Sequence, residues 1–300
     1  MEYFHVVFTV PEQVAAIALQ NKRELYGILM RASAATLKEV AADPRRLGAE
    51  IGFVSVLHTW GQNLLHHPHV HCVVPGGGLA PDGSRWVSCR PGFFLPVKVL
   101  GKMFRGKFLD ALQRAFQDGR LRFQGALRHL REAREFRARL AACRRKDWVV
   151  YSKPPFGGPE QVLKYLARHT HRVAVSNARL LRMADGNVTF LREDYSGGSR
   201  RRTMTLAATE FVRRLLLHVL PKGFPRIRHY GLLGNRSAGL ARCRELLACA
   251  PPEAERDDPA TAPSEAGGRR CPVCGSTALR HREATADELL LLAPGRLDSS

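Results

Sequence analysis

Acidic residues are scarce in this chain. Against 47 lysines and arginines stand 27 aspartates and glutamates, which leaves a formal charge of +20 at pH 7. Such a chain is drawn to polyanions and partly repels itself, so nucleic acid or an anionic membrane face is its natural partner. A high arginine content also accompanies GC-rich genomes. Long apolar runs are lacking as well. No stretch approaches ~18 consecutive apolar residues, so a membrane-spanning helix is not expected. The opening MEYFHVVFTVPEQ has none of the basic, then apolar, then small pattern of a secretory signal. Cysteines number seven, odd and mostly far apart, which fits a reducing cytosol better than a disulfide framework. What is present, 300 residues with 45% hydrophobic side chains, suffices for one large or two modest domains.

Strand and helix signals alternate along the chain. Residues 2–9 (EYFHVVFT) are aromatic and β-branched and predict a strand, and residues 15–44 have helical spacing with few breakers. A second strand is expected over Ile51–Leu57. A third, from about Pro68 to Val74, closes on Pro75 and three glycines. From Pro96 to about Arg145 the pattern is helical, broken near Gly119 and Gly125, and residues 120–146 hold 10 basic against 2 acidic residues. Trp148–Ser152 predicts a strand and Lys153–Gly158 a loop. A helix starts near Pro159, with proline at an early helical position and Glu160 near its positive end. Two strands surround the Asp185-Gly186 turn, a helix covers residues 206–220, a basic turn-rich stretch follows, and another helix runs to about Ala250. Residues 251–270 have linker composition.

Histidines 67, 69 and 71 alternate with Val70 and Cys72. On a strand this makes one face imidazole and the other apolar. His69 and His71 are near enough to share a divalent ion, with Gln62, His66, His67 and His58 as candidates for a further ligand. The competing view is a hydrogen-bonded or solvated strand feature. With no thiolate nearby except Cys72 on the opposite face, the donor set suits an open site for Mg or Mn and not a closed structural zinc. A metal beside so basic a surface suggests phosphate chemistry. A nuclease needs only water, whereas a tyrosine nucleophile retains one DNA end covalently. Of six tyrosines, Tyr165 lies on a predicted helix flanked by Lys164 and Arg168. Packing on the core is the alternative for it.

Three phrases carry a resemblance: HTWGQNLLHHPHVHCVVPGGG at 58–78, YLARHTHRVAVSNARLL at 165–181 and EFVRRLLLHVLPKGFPRIRHYGLL at 210–233. They resemble bacterial rolling-circle transposases of the insertion-sequence ninety-one type, members of the HUH superfamily, over roughly residues 2–250. The resemblance implies an α+β fold whose central antiparallel sheet carries the histidine pair, with helices packed on it. It implies His69 and His71 as metal-binding catalytic residues and Tyr165 as the nucleophile that forms a 5′-phosphotyrosine in single-stranded DNA. Where many relatives have a second tyrosine this chain has His169, so it resembles the single-tyrosine relatives; His169 is then a proton relay, a metal ligand or a packed side chain. Relatives usually begin with a cysteine-rich zinc region, so the chain is expected to be a truncated form or to begin at an incorrectly chosen start. The divisions expected are residues 1–205 as the catalytic domain, 206–250 as a basic helical region completing it, 251–270 as a linker and 271–300 as a partial zinc knuckle.

Phosphate contacts are expected from the basic helices at 120–146, Lys153, Lys164, Arg168, Arg200, Arg201, Arg202, Lys222, Arg226 and Arg228. Trp60 and Phe224 either stack on bases or pack in the core. Cys271 and Cys274 form half a zinc knuckle that Cys243, Cys249 or His281 would complete; otherwise they are free thiols. The expected partners are single-stranded DNA at element ends and a second copy of the chain, with no membrane, in a bacterial cytoplasm at the nucleoid. Two other readings are an inert DNA-binding remnant of a mobile element and a replication or mobilisation nickase of the same superfamily.

Overall fold

The computed structural model describes residues 1–156, 160, 162, 174–194, 200–235 and 237–248. All belong to one unit, Met1–Ala250, and residues 251–300 form a second that lies outside the described residues, with Cys271, Cys274 and His281.

Five strands make the central sheet: β1 (Tyr3–Thr9), β2 (Gly52–Trp60), β3 (His66–Pro75), β6 (Val150–Phe156) and β10 (Ile227–Gly231), in the order β10, β2, β3, β1, β6. Every neighbouring pair is antiparallel. Alternation along the strands sends Phe4, Val6, Phe8, Phe53, Leu57, Val70, Cys72 and Val74 to one face. There they meet α1 (Glu12–Gln20), α2 (Lys22–Ala42), α3 (Val97–Gln117) and α4 (Ala133–Arg145), through Ile17, Leu29, Phe104 and Phe136 among others. The fold is therefore α+β, an antiparallel sheet packed against helices.

Two smaller sheets complete the unit. One pairs β4 (Gly77–Leu79) with β5 (Trp86–Ser88), and the other orders β7 (Leu180–Ala184), β8 (Asn187–Asp194) and β9 (Arg200–Ala207). Asp185 and Gly186 turn the β7–β8 hairpin with positive φ of 52° and 70°, the conformation that an Asp-Gly pair tolerates. Among the described residues a further helix, α5 (Ala208–Leu216), lays Phe211 against Phe190 in a second apolar cluster that includes Leu64. Another, α6 (Gly239–Leu246), packs Cys243 against Leu79 and Leu232. Gly78 has to be glycine, because a side-chain carbon there would strike the Glu50 carbonyl.

Three elements differ from the sequence-based expectation. Lys153–Phe156 continues β6 instead of forming a loop; its two prolines are tolerated because β6 is an edge strand. β9 was hidden by its arginine run, although Met204 and Leu206 turn toward the second cluster. β10 arises from the basic, turn-rich stretch and adds to the other edge of the central sheet. Of the helix expected from Pro159, Glu160 and Val162 are described and helical, while Lys164, Tyr165, Arg168 and His169 lie outside the described residues.

Phe8, on a central strand, is fully buried, with its ring 5.0 Å from that of Phe104. Phe8→Ala is expected to lower the unfolding free energy by about 3–5 kcal/mol in urea denaturation. Val149→Ala, at a 65% exposed position, is expected to stay within about 0.5 kcal/mol. Equal losses would contradict this placement of the core.

Candidate metal centre

The face of the sheet opposite α1 to α4 carries imidazoles. β3 presents His69 and His71, and β2 presents His58, the cross-strand partner of His69. One ligand nitrogen from each of the three lies within 4.8 Å of the others. Ring centroids are 4.2 Å apart for His58 and His71, 4.8 Å for His69 and His71, and 5.5 Å for His58 and His69. His58 is 5% exposed, and its ring stacks on Trp60 at 4.6 Å.

The nitrogens available can be assigned from their hydrogen bonds. His69 Nδ1 lies 2.6 Å from the His67 carbonyl oxygen, which can only accept, so the ring proton is on Nδ1 and Nε2 keeps a lone pair. His71 Nδ1 lies 2.7 Å from Nε2 of His5 on β1, which leaves its own Nε2 as the nitrogen for an ion. Three neutral imidazoles fit a divalent cation of borderline softness and leave further coordination positions open. They cannot act as a closed thiolate zinc site. Of the described cysteines, Cys72 is fully buried on the helix face beside Ser55, Cys143 and Cys243 are buried, and Cys89 is half-buried.

The turn joining β2 to β3 is held from outside the central sheet. Three successive main-chain carbonyls receive side-chain donors: Gln62 from Arg179 Nη2 at 2.9 Å, Asn63 from Arg214 Nη1 at 2.9 Å and Leu64 from His218 Nε2 at 3.0 Å. Leu64 is fully buried with φ of 61°, a left-handed conformation costly for a branched side chain. Arg179 is itself fixed by the Leu191 carbonyl at 2.7 Å, and Arg214 by Glu210, whose carboxyl the two neighbouring arginines hold down at about 2. The β7–β9 sheet and α5 thereby set the entry of the histidine strand. Arg179, Arg214 and His218 lie within the two later phrases that carry the resemblance, but their local pattern does not show that they converge on this turn.

Other candidate residues fall in different places. His67 is exposed and outside the three-histidine group, giving its carbonyl to His69. Gln62 is in the clamped turn, and His66 faces the helix side, 2.8 Å from the Tyr26 hydroxyl. Arg226 is brought close: its guanidinium lies 5.0 Å over the Trp60 ring that stacks on His58. Arg228 pairs in register with Ser55 and covers Phe224 at 5.1 Å, and Phe224 packs on Tyr26 in the core. Lys222 is exposed in a turn. Arg200, Arg201 and Arg202 are exposed on β9, with Arg201 in register opposite Glu193. The arginine-rich surface of α4 and the histidines occupy opposite sides of the sheet. Side chains of Lys153, Lys164, Tyr165, Arg168 and His169 lie outside the described residues, as does Cys249.

Comparison with known proteins locates this arrangement. A family model described as "Putative transposase" matches residues 52–239, which include β2, β3, β10 and all three clustered histidines. The chain is 60% identical over 253 residues to "Putative transposase y4qJ" of Sinorhizobium fredii (strain NBRC 101917 / NGR234), covering 84% of this chain and 64% of that protein. It is 27% identical over 251 residues to "Transposase for insertion sequence element IS801" of Pseudomonas savastanoi pv. phaseolicola, covering 83% and 58%. It thus spans about three-fifths of the length of these relatives. Among solved structures it is similar to TrwC complexed with a 27-mer DNA comprising the recognition hairpin and the cleavage site, at TM-score 0.29 and 13% identity over 74% of this chain and 68% of that one. It is also similar to the metal-free conjugative relaxase TrwC with OriT DNA, at TM-score 0.30 and 12% identity over 74% and 67%. Likeness of that size has no bearing on chemistry.

Behind the metal face, burial pushes His66 down from the usual 6.5 to about 4, with His218 and Lys22 as further positive neighbours. Neutral His66 accepts at Nε2 from the Tyr26 hydroxyl, which burial keeps protonated. Between these two values the unfolded chain binds a proton that the native one does not, so stability falls as pH drops from 6.5 toward 4. The thermal midpoint is expected to decrease from about pH 7 to pH 5, and His66→Gln to flatten that decrease. An unchanged slope in the variant would assign the loss to other groups.

Proposed function

The chain belongs to the transposase family that matches residues 52–239, and on that premise we propose that it is an enzyme of the HUH kind, its His69 and His71 flanking the hydrophobic Val70, that cleaves and transfers single-stranded DNA. The observation that carries this reading is the convergence of His58, His69 and His71 on the sheet face opposite α1 to α4. A divalent ion such as Mg or Mn, when bound there, supplies Lewis-acid polarisation of a phosphoryl oxygen. The three imidazoles hold it without adding negative charge, so the site does not repel the phosphodiester.

Tyr165 is the proposed nucleophile. Its phenolic oxygen bonds to phosphorus as the bond from phosphorus to the 3′ oxygen breaks. The products are a 5′-phosphotyrosine and a strand ending in a 3′ hydroxyl; the phenol proton departs and the 3′ oxygen gains one. The reverse reaction, with a different 3′ hydroxyl attacking, transfers the strand. One tyrosine, with histidine at 169, suits successive covalent links better than two held at once. Arg226, stacked over Trp60 beside His58, is a phosphate contact suited to placing the strand at this face. The net charge of +20 would gather the polyanion and make binding strongly salt-dependent.

The test incubates the purified chain and Mn²⁺ with a labelled single-stranded element end. The wild type is expected to form a covalent, protease-sensitive protein–DNA product. Tyr165→Phe should abolish it, and His69→Ala should reduce it by about 10²–10³-fold. Cleavage with unchanged products in Tyr165→Phe would remove the tyrosine from its role. Binding without cleavage by the wild type would favour an inert DNA-binding remnant.

A further inference from the structure

We propose that His5 is the positioning residue of the metal centre, fixing the tautomer and ring orientation of His71. The proposal rests on the metal-binding reading of the three-histidine site. It concerns a residue 66 positions away in the chain that has no place in the histidine-rich phrase.

Strand pairing creates the contact. β1 runs antiparallel to β3 with Val7 opposite His71 and His5 opposite Val73, so His5 lies diagonally across from His71 on the same sheet face. The rings have centroids 4.9 Å apart and planes within 12° of each other, and Nε2 of His5 is 2.7 Å from Nδ1 of His71. His5 is only 2% exposed. A ring so placed is held by its surroundings and cannot turn away without disturbing the sheet.

Chemistry then determines which nitrogen does what. A neutral imidazole that binds a cation through Nε2 carries its proton on Nδ1, and that N–H needs an acceptor. For His69 the acceptor is a carbonyl of its own strand. For His71 the structure provides the Nε2 lone pair of His5, which requires the His5 proton to be on Nδ1. Reversing the hydrogen bond would put the His71 proton on Nε2 and remove it as a ligand. His5 therefore selects the ligand-competent form of His71, and β1 becomes the third strand of the site beside β2 and β3.

The test measures Mn²⁺ affinity of the full chain by calorimetry, without DNA. His5→Phe keeps a ring but loses the acceptor and is expected to weaken Mn²⁺ binding about 10–100-fold. His5→Gln, whose amide oxygen can accept, is expected to recover part of the loss, while the metal-free melting temperatures of the two variants stay close to each other. Wild-type affinity in His5→Phe overturns the proposal and leaves the metal site standing. Failure of the wild type to bind Mn²⁺, or equal binding by His69→Ala, overturns the metal reading and the proposal with it. A second measurement needs no variant: long-range proton–nitrogen NMR spectra of the Zn²⁺-loaded wild type should show His71 protonated at Nδ1. Protonation at Nε2 overturns the proposal.

Discussion

A strand in the middle of a sheet can carry imidazoles on one face only if the other face is apolar and if the ring nitrogens have partners. β3 meets both conditions. Val70, Cys72 and Val74 fill the helix side, while His69 and His71 face away. Because side chains alternate with a period of two, a slip of one residue would place the histidines among Phe8, Phe53 and Phe104 and move the valines out of that cluster. Desolvating unpaired imidazoles in that way is strongly unfavourable. The register of β3 against β1 and β2 is thus held by the core, and the three-histidine cluster inherits its geometry from it. Pro68, which cannot donate to a ladder, falls where the β2–β3 register shifts between His58 and Trp60.

The supports around that strand come from distant parts of the chain. β1 adds His5 behind His71, and β2 adds His58 with Trp60 stacked on it. Arg226, just before β10, lies over Trp60, so an aromatic–cation stack ends on His58 of the histidine cluster. Arg179, Arg214 and His218 grip the turn before β3 at three consecutive carbonyls. These contacts hold Leu64 in its left-handed conformation, and they tie the small β7–β9 sheet to the histidine strand.

Much of this was legible in the sequence where the signal is local. The period-two pattern of His67 to Cys72 announces the face on which His69 and His71 lie, and Cys72 does turn to the opposite one. The Asp185-Gly186 hairpin and the helices broken near Gly119 and Gly125 follow from local backbone preferences. Pairings across long separations were not legible. A lone histidine in EYFHVVFT looks like a core residue, and only the β1–β3 register brings His5 to His71. β10 was obscured because its five residues carry arginine, histidine and tyrosine between proline and glycine, and it gains its order from pairing with β2. The arginines of α4 form a basic run in the sequence, but on which side of the sheet they fall is set by tertiary packing: the helix lies on the Phe4 and Phe8 face, across the sheet from the three histidines.

The central claim is that one divalent ion is held by three imidazoles drawn from two adjacent strands. The most direct measurement is a count of nitrogen ligands by pulsed electron paramagnetic resonance on the chain loaded with one equivalent of Mn²⁺. Three histidine nitrogens are predicted, falling to two when His58 is replaced by alanine. One nitrogen or none in the wild type, or a count unchanged in His58→Ala, would contradict the account.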